Sequence, residues 1–166
     1  MASESSKSCQ KVEINTTGNS CIADISICQI ESNLPCEDRY SIRRTADIEA
    51  FAIYDGHGGY LAADIATSTL LDTIIKNLST VPISNRTFAR VAEIIDDAFV
   101  QCDSLILKEA IRLHKTSQTA KATSSNSGIL AGRVGKDKSK KVMGRAGSCA
   151  IVVVVTAGLM FLAHVG

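Results

Sequence analysis

Phe51–Gly59 reads Phe-Ala-Ile-Tyr-Asp-Gly-His-Gly-Gly: an apolar run, then an acid, then a histidine set among glycines. The run Glu49–Tyr54 is short, apolar and rich in β-formers, which predicts a buried strand. From Leu61 onward the apolar spacing is helical. Asp55 and His57 are therefore expected on a tight strand-to-helix turn, where polar side chains collect at the end of a sheet and sites are built. Gly56, Gly58 and Gly59 permit close approach of backbone to a ligand. An ordinary glycine-rich turn with a solvated acid also fits these nine residues. The choice between turn and site rests on the rest of the chain.

The chain has 166 residues and is 45% hydrophobic, enough for one domain with a core. A net charge of +1 provides no field that would draw nucleic acid or an acidic partner. Aromatic residues make up 4% and Trp is absent, which argues against the stacking platforms of single-strand binders. None of the six cysteines (9, 21, 28, 36, 102 and 149) falls in a Cys-x-x-Cys pair, so a structural zinc site is not expected. The first residues lack the apolar core of a secretory signal. The expectation is an intracellular protein, cytoplasmic or nuclear, with free thiols. The sequons at Asn15, Asn77 and Asn85 then read as chance.

Residues 1–20 are polar and Ser-rich and read as a tail. Cys21–Ile30 alternates partly, with Ile25, Ile27 and Gln29 on one face, and predicts a strand ended by Ser32-Asn33-Leu34-Pro35. In Cys36-Glu37-Asp38-Arg39-Tyr40 the adjacent carboxylates would point to opposite faces of an extended segment; a charged loop tip is the plainer reading. Ser41–Arg44 reads as a short strand or turn. Gly59–Leu78 predicts a helix with Leu61, Ile65, Leu71, Ile74, Ile75 and Leu78 on one stripe. Val81-Pro82 ends it. A second helix is expected over Thr87–His114, capped by Ser84 or Asn85.

Lys115–Gly147 is rich in Ser, Thr, Gly and Lys and reads as a flexible loop. Its basic cluster of Lys136, Lys138, Lys140, Lys141 and Arg145 is a candidate docking patch for an acidic or phosphorylated partner. Cys149–Gly166 carries no formal charge apart from His164. It reads as a buried hairpin of two central strands turning at Ala157-Gly158, because Ile151–Thr156 is β-branched throughout. A short membrane segment is the alternative.

Four pieces occur in order: Cys36-Glu37-Asp38-Arg39-Tyr40, Phe51-Ala52-Ile53-Tyr54-Asp55-Gly56-His57-Gly58-Gly59, Gly147-Ser148-Cys149-Ala150 and Phe161-Leu162-Ala163-His164-Val165-Gly166. Together they resemble the N-terminal half of the metal-dependent protein serine/threonine phosphatases of type 2C, from about residue 20 to the end. There the corresponding motifs read Asn-Glu-Asp-Arg, Asp-Gly-His-Gly-Gly, Gly-Ser-Thr-Ala and an apolar strand entering Gly-Asp-Ser-Arg.

The resemblance implies an α+β fold, a partial αββα sandwich of antiparallel sheets flanked by helices. It also implies two Mn²⁺ or Mg²⁺ ions that activate a water against a phosphoserine or phosphothreonine protein. By the same resemblance the bridging carboxylate falls on Asp55, the carbonyl ligand on Gly56 and a further metal-holding acid on Glu37. Asp38 matches an acid that supports those ligands, and His57 matches the general acid that protonates the leaving alkoxide. Oxygen donors suit these hard cations, and an imidazole suits the proton transfer.

Two departures stand out. The family's phosphate-gripping arginine falls on Asn33, which brings no cation to the phosphate; Arg43 or Arg44 is the candidate substitute. The pattern would also continue past Gly166 with the aspartates that complete the metal site. The expectation is therefore an incomplete phosphatase domain, inactive alone. The alternatives are a non-catalytic interaction module or pseudophosphatase, and a small membrane-tethered protein using 149–166.

Overall fold

The computed structural model describes residues 10–15, 24–30, 35–124 and 146–166. The fold is α+β. A four-stranded antiparallel sheet runs in the order β3-β4-β5-β6: β3 (Arg39–Arg44), β4 (Ile48–His57), β5 (Gly147–Thr156) and β6 (Leu159–Val165). A separate hairpin pairs β1 (Gln10–Asn15) with β2 (Asp24–Gln29). Two helices, α1 (Leu61–Ser79) and α2 (Phe88–Ser124), lie between β4 and β5 in the chain.

One face of the sheet carries the core. Ile48, Ala50, Ala52 and Tyr54 of β4 join Val152 and Val154 of β5 and Phe161 of β6, all buried beneath the helices. Small residues set how closely α1 approaches. A Cβ on Gly56 would come 3.2 Å from that of Ala63, and Ala62, Ala63 and Ala66 are all buried. This turns the helix relative to the expected stripe: Leu71, Ile74 and Leu78 go in, while Leu61, Ile65 and Ile75 are only half-buried.

Two arginines fasten α1 along β3. Arg39 pairs with Asp64 at 2.7 Å, and Arg43 pairs with Asp72. Four residues of strand span about 13 Å and eight residues of helix span about 12 Å. The two pairs therefore match in pitch, and α1 runs in the direction of β3.

Several expectations need correction. Residues 1–20 are not simply a tail, since Gln10–Asn15 is a strand whose Val12 and Ile14 pair with Ile27 and Ile25; the alternation in Lys11-Val12-Glu13-Ile14 is the cause. α2 continues through Ser124 rather than stopping at His114, because no Gly or Pro interrupts Lys115–Ser124. Its cap is Thr87, whose Oγ1 accepts from the Arg90 amide at 3.4 Å; Ser84 and Asn85 belong to a 3₁₀ turn, Ile83–Asn85. The basic cluster from Lys136 to Arg145 lies outside the described residues, as does Asn33.

The terminal hairpin forms as expected, turning at Ala157 (φ 52) and Gly158 (φ 73), the left-handed pair of a two-residue turn. It is not buried on both faces, however: Ile151, Met160 and Leu162 are exposed, and β6 is an edge strand. No helix among the described residues is long and apolar enough to cross a membrane. Cys36, Cys102 and Cys149 are free thiols. Cys28 is not, being disulfide-bonded.

Candidate functional site

The strand register brings the four sequence pieces to one end of the sheet. Asp55 pairs with Cys149, Gly56 with Ser148 and His57 with Gly147 across β4 and β5. On the far side of β5, Ala150 pairs with Val165, and a Cβ on Gly166 would collide with the Cys149 thiol. On the other flank Arg39 pairs with Tyr54. Just beyond that pair the Glu37 carbonyl packs against Gly56, and Asp38 lines the same 380 Å³ cleft as Asp55. Residues more than a hundred positions apart thus share one row.

The turn begins later than the sequence suggests. β4 continues through His57, and only Gly58 (φ 69) and Gly59 (φ 125) bend the chain into α1. Asp55 and His57 are therefore strand residues, two apart, and both project from the face opposite the helices. Pairing with β5 on one side holds that segment, so its geometry is fixed more firmly than a loop would fix it. Gly147 makes room for the imidazole: a Cβ there would come 2.9 Å from His57 Cε1 and 3.2 Å from Cδ2.

Arg39 organises the acidic segment, a role its sequence position did not reveal. Its Nη1 donates to the carbonyl oxygens of Cys36 and Asp38, each at 2.8 Å, while Nε donates to Asp64 at 2.7 Å. A guanidinium has the fixed fork needed to bridge backbone and carboxylate together. Gln29 adds a bond from β2 to the Asp38 carbonyl at 3.1 Å. The backbone of residues 36–38 is thus held from two sides. The carboxylates of Glu37, Asp38 and Asp55 make no ion pair or hydrogen bond with a described residue.

Arg43 and Arg44 do not join this end. Arg43 is taken by Asp72, and Arg44 pairs with Glu49 at 3.1 Å and lies over the Phe51 ring, at the opposite end of β3. Neither serves as a substitute phosphate grip.

The donor chemistry of the row suits a hard divalent cation: three carboxylates and a backbone carbonyl, all oxygen. Their number falls short. Among the described residues no group of three or more His, Cys, Asp or Glu is gathered so as to hold an ion. Glu37, Asp38, Asp55 and Gly56 can supply part of a metal centre and not a closed one. No protein-family model matches the chain, and no curated protein matches it.

Proposed function

We propose that the row Glu37–Asp38, Asp55–His57, Gly147–Cys149 is part of the catalytic centre of a metal-dependent protein serine/threonine phosphatase of type 2C. The supporting observation is the strand register, which gathers motifs spread over the chain at one sheet end. On this reading Asp55, Glu37 and the Gly56 carbonyl would hold Mn²⁺ or Mg²⁺, and Asp38 would support them. Bound there, the metal would supply an activated water at neutral pH and charge neutralisation for the phosphate.

The chain's own contribution follows from its placement. His57 projects beside Asp55 on an accessible face and gives a proton to the departing serine or threonine oxygen. Gly147 fixes where that ring lies. Arg39 keeps the acidic segment against β4. The fold is then a partial αββα sandwich, in which the β1–β2 hairpin is a fragment of the second sheet. Ile25 and Ile27 of β2 and Phe51, Ile53 and Ile151 of the main sheet line the 590 Å³ groove between them.

A non-catalytic interaction module is the second reading, favoured by the shortfall of metal donors and by the exposed Ile53, Ile151, Met160 and Leu162.

Phosphate release from a phosphothreonine peptide separates the two. On the phosphatase reading, any release by the chain requires Mn²⁺ and is lost in Asp55→Asn. The rate is low, because few ligands are present. Release that survives Asp55→Asn, or that ignores chelator, contradicts the assignment.

A further inference from the structure

One side of α2 is buried through Val91, Ile94, Ile95, Ala98 and Cys102. The diametrically opposite side carries a second apolar stripe that the described residues leave bare. Val100, Leu107 and Ile111 are 67%, 58% and 45% exposed, with Ser104 between the first two. The spacing runs four, three, four, which is that of a coiled-coil seam. Scattered surface apolar residues need no explanation, but a seam of this period does.

The length of α2 points the same way. Its 37 residues span about 55 Å, while the 19 residues of α1 span about 28 Å. From Asp103 to Leu113 no residue is fully buried, and Ile106 is half-buried against the core. A helical segment with so little packing is marginal in water, so this overhang calls for a partner.

The flanking charges identify it. Asp103 lies just before Ser104, and Lys108 lies just after Leu107, five residues on. In a parallel pair of identical helices, Asp103 of each copy meets Lys108 of the other, twice by symmetry. Antiparallel pairing would instead bring Lys108 towards Gln101 or Lys115, and Asp103 towards Asp96 or Ala110. We propose that α2 pairs in parallel with α2 of a second copy of this chain along Val100, Ser104, Leu107 and Ile111.

The test is the mass of the full chain in solution by light scattering and sedimentation. The expected value is twice 17.6 kDa. Leu107→Asp combined with Ile111→Asp gives a monomer with an unchanged far-UV spectrum, because both side chains are exposed within one copy. Asp103→Lys or Lys108→Asp alone weakens the dimer about tenfold, and the two together restore it. Val100→Cys and Ile111→Cys each oxidise to a linked dimer, whereas antiparallel helices would link at most one of them. A monomer at every concentration overturns the proposal. So does a dimer indifferent to Leu107→Asp and Ile111→Asp, which would place the contact elsewhere, for instance on the uncovered sheet face.

Discussion

The carbonyl oxygen of Glu37 lies against the Cα of Gly56 so closely that no side chain fits between them. This contact joins the acidic segment to the end of β4, and the same glycine lets Ala63 of α1 approach from the helix side. A methyl group at position 56 would have to displace backbone, not a flexible side-chain tip. Gly56→Ala should therefore cost about 1–3 kcal/mol, read from the urea midpoint at constant slope. A variant as stable as the parent would show that the segment does not rest on β4.

Arg86 is the cation buried deepest among the described arginines. Its Nε donates to the Val81 carbonyl at 3.0 Å, and Nη1 donates to Thr156 at 2.8 Å and pairs with Asp47 at 2.7 Å. It thereby ties the end of α1 to the start of β4 and the end of β5. Arg86→Ala should cost about 3 kcal/mol, discounted for the partial exposure of Asp47, and Arg86→Lys should recover only part of it. Desolvation pushes the Asp47 carboxyl up, but hydrogen bonds from Arg86 and Thr45 outweigh it and hold the pKa below its usual value. The pair's contribution is present above the unfolded carboxylate range and is lost as pH falls through the lowered folded value. Asp47→Asn should therefore make acid unfolding less steep.

Burial pushes the Tyr54 hydroxyl up to about 12, against a smaller opposing effect from its 2.8 Å hydrogen bond with Ser41. The folded state thus favours the neutral phenol. The resulting stability is complete below the unfolded value near 10 and is lost as pH rises from there towards 12. A phenolate absorbance titration, with Tyr54→Phe as the difference standard, should show this group ionising together with unfolding. Ionisation of Tyr54 near 10 in a folded chain would mean that it is not in the core.

Much of this architecture is written in local pattern. The β-branched run of β5, the apolar run of β4 and the glycines at 58, 59 and 158 fix strands and turns from neighbouring residues alone. β1 went unread because a single alternation over six residues competes with a Ser-rich context. The end of α2 was misplaced because polar residues of fair helix propensity look like loop when nothing packs on them. The open face of the sheet was also hidden, since a strand apolar on both sides reads as buried whether or not anything covers it. At the candidate site the residue types were legible. The roles of Arg39, fastening residues 36–38, and of Gly147, seating His57, were not: each depends on a partner from another element.

On the proposed reading, Glu37, Asp55 and the Gly56 carbonyl hold a divalent ion at one sheet end, and Asp38 supports them. Titration of Mn²⁺ into the purified chain, with free ion followed by electron paramagnetic resonance, tests it most directly. The expected result is weak binding that falls about tenfold in Asp55→Asn, in Glu37→Gln and in the supporting Asp38→Asn, and is unchanged in Asp72→Asn, whose carboxylate pairs with Arg43. No binding by the parent chain, or equal binding by Asp55→Asn, would contradict it.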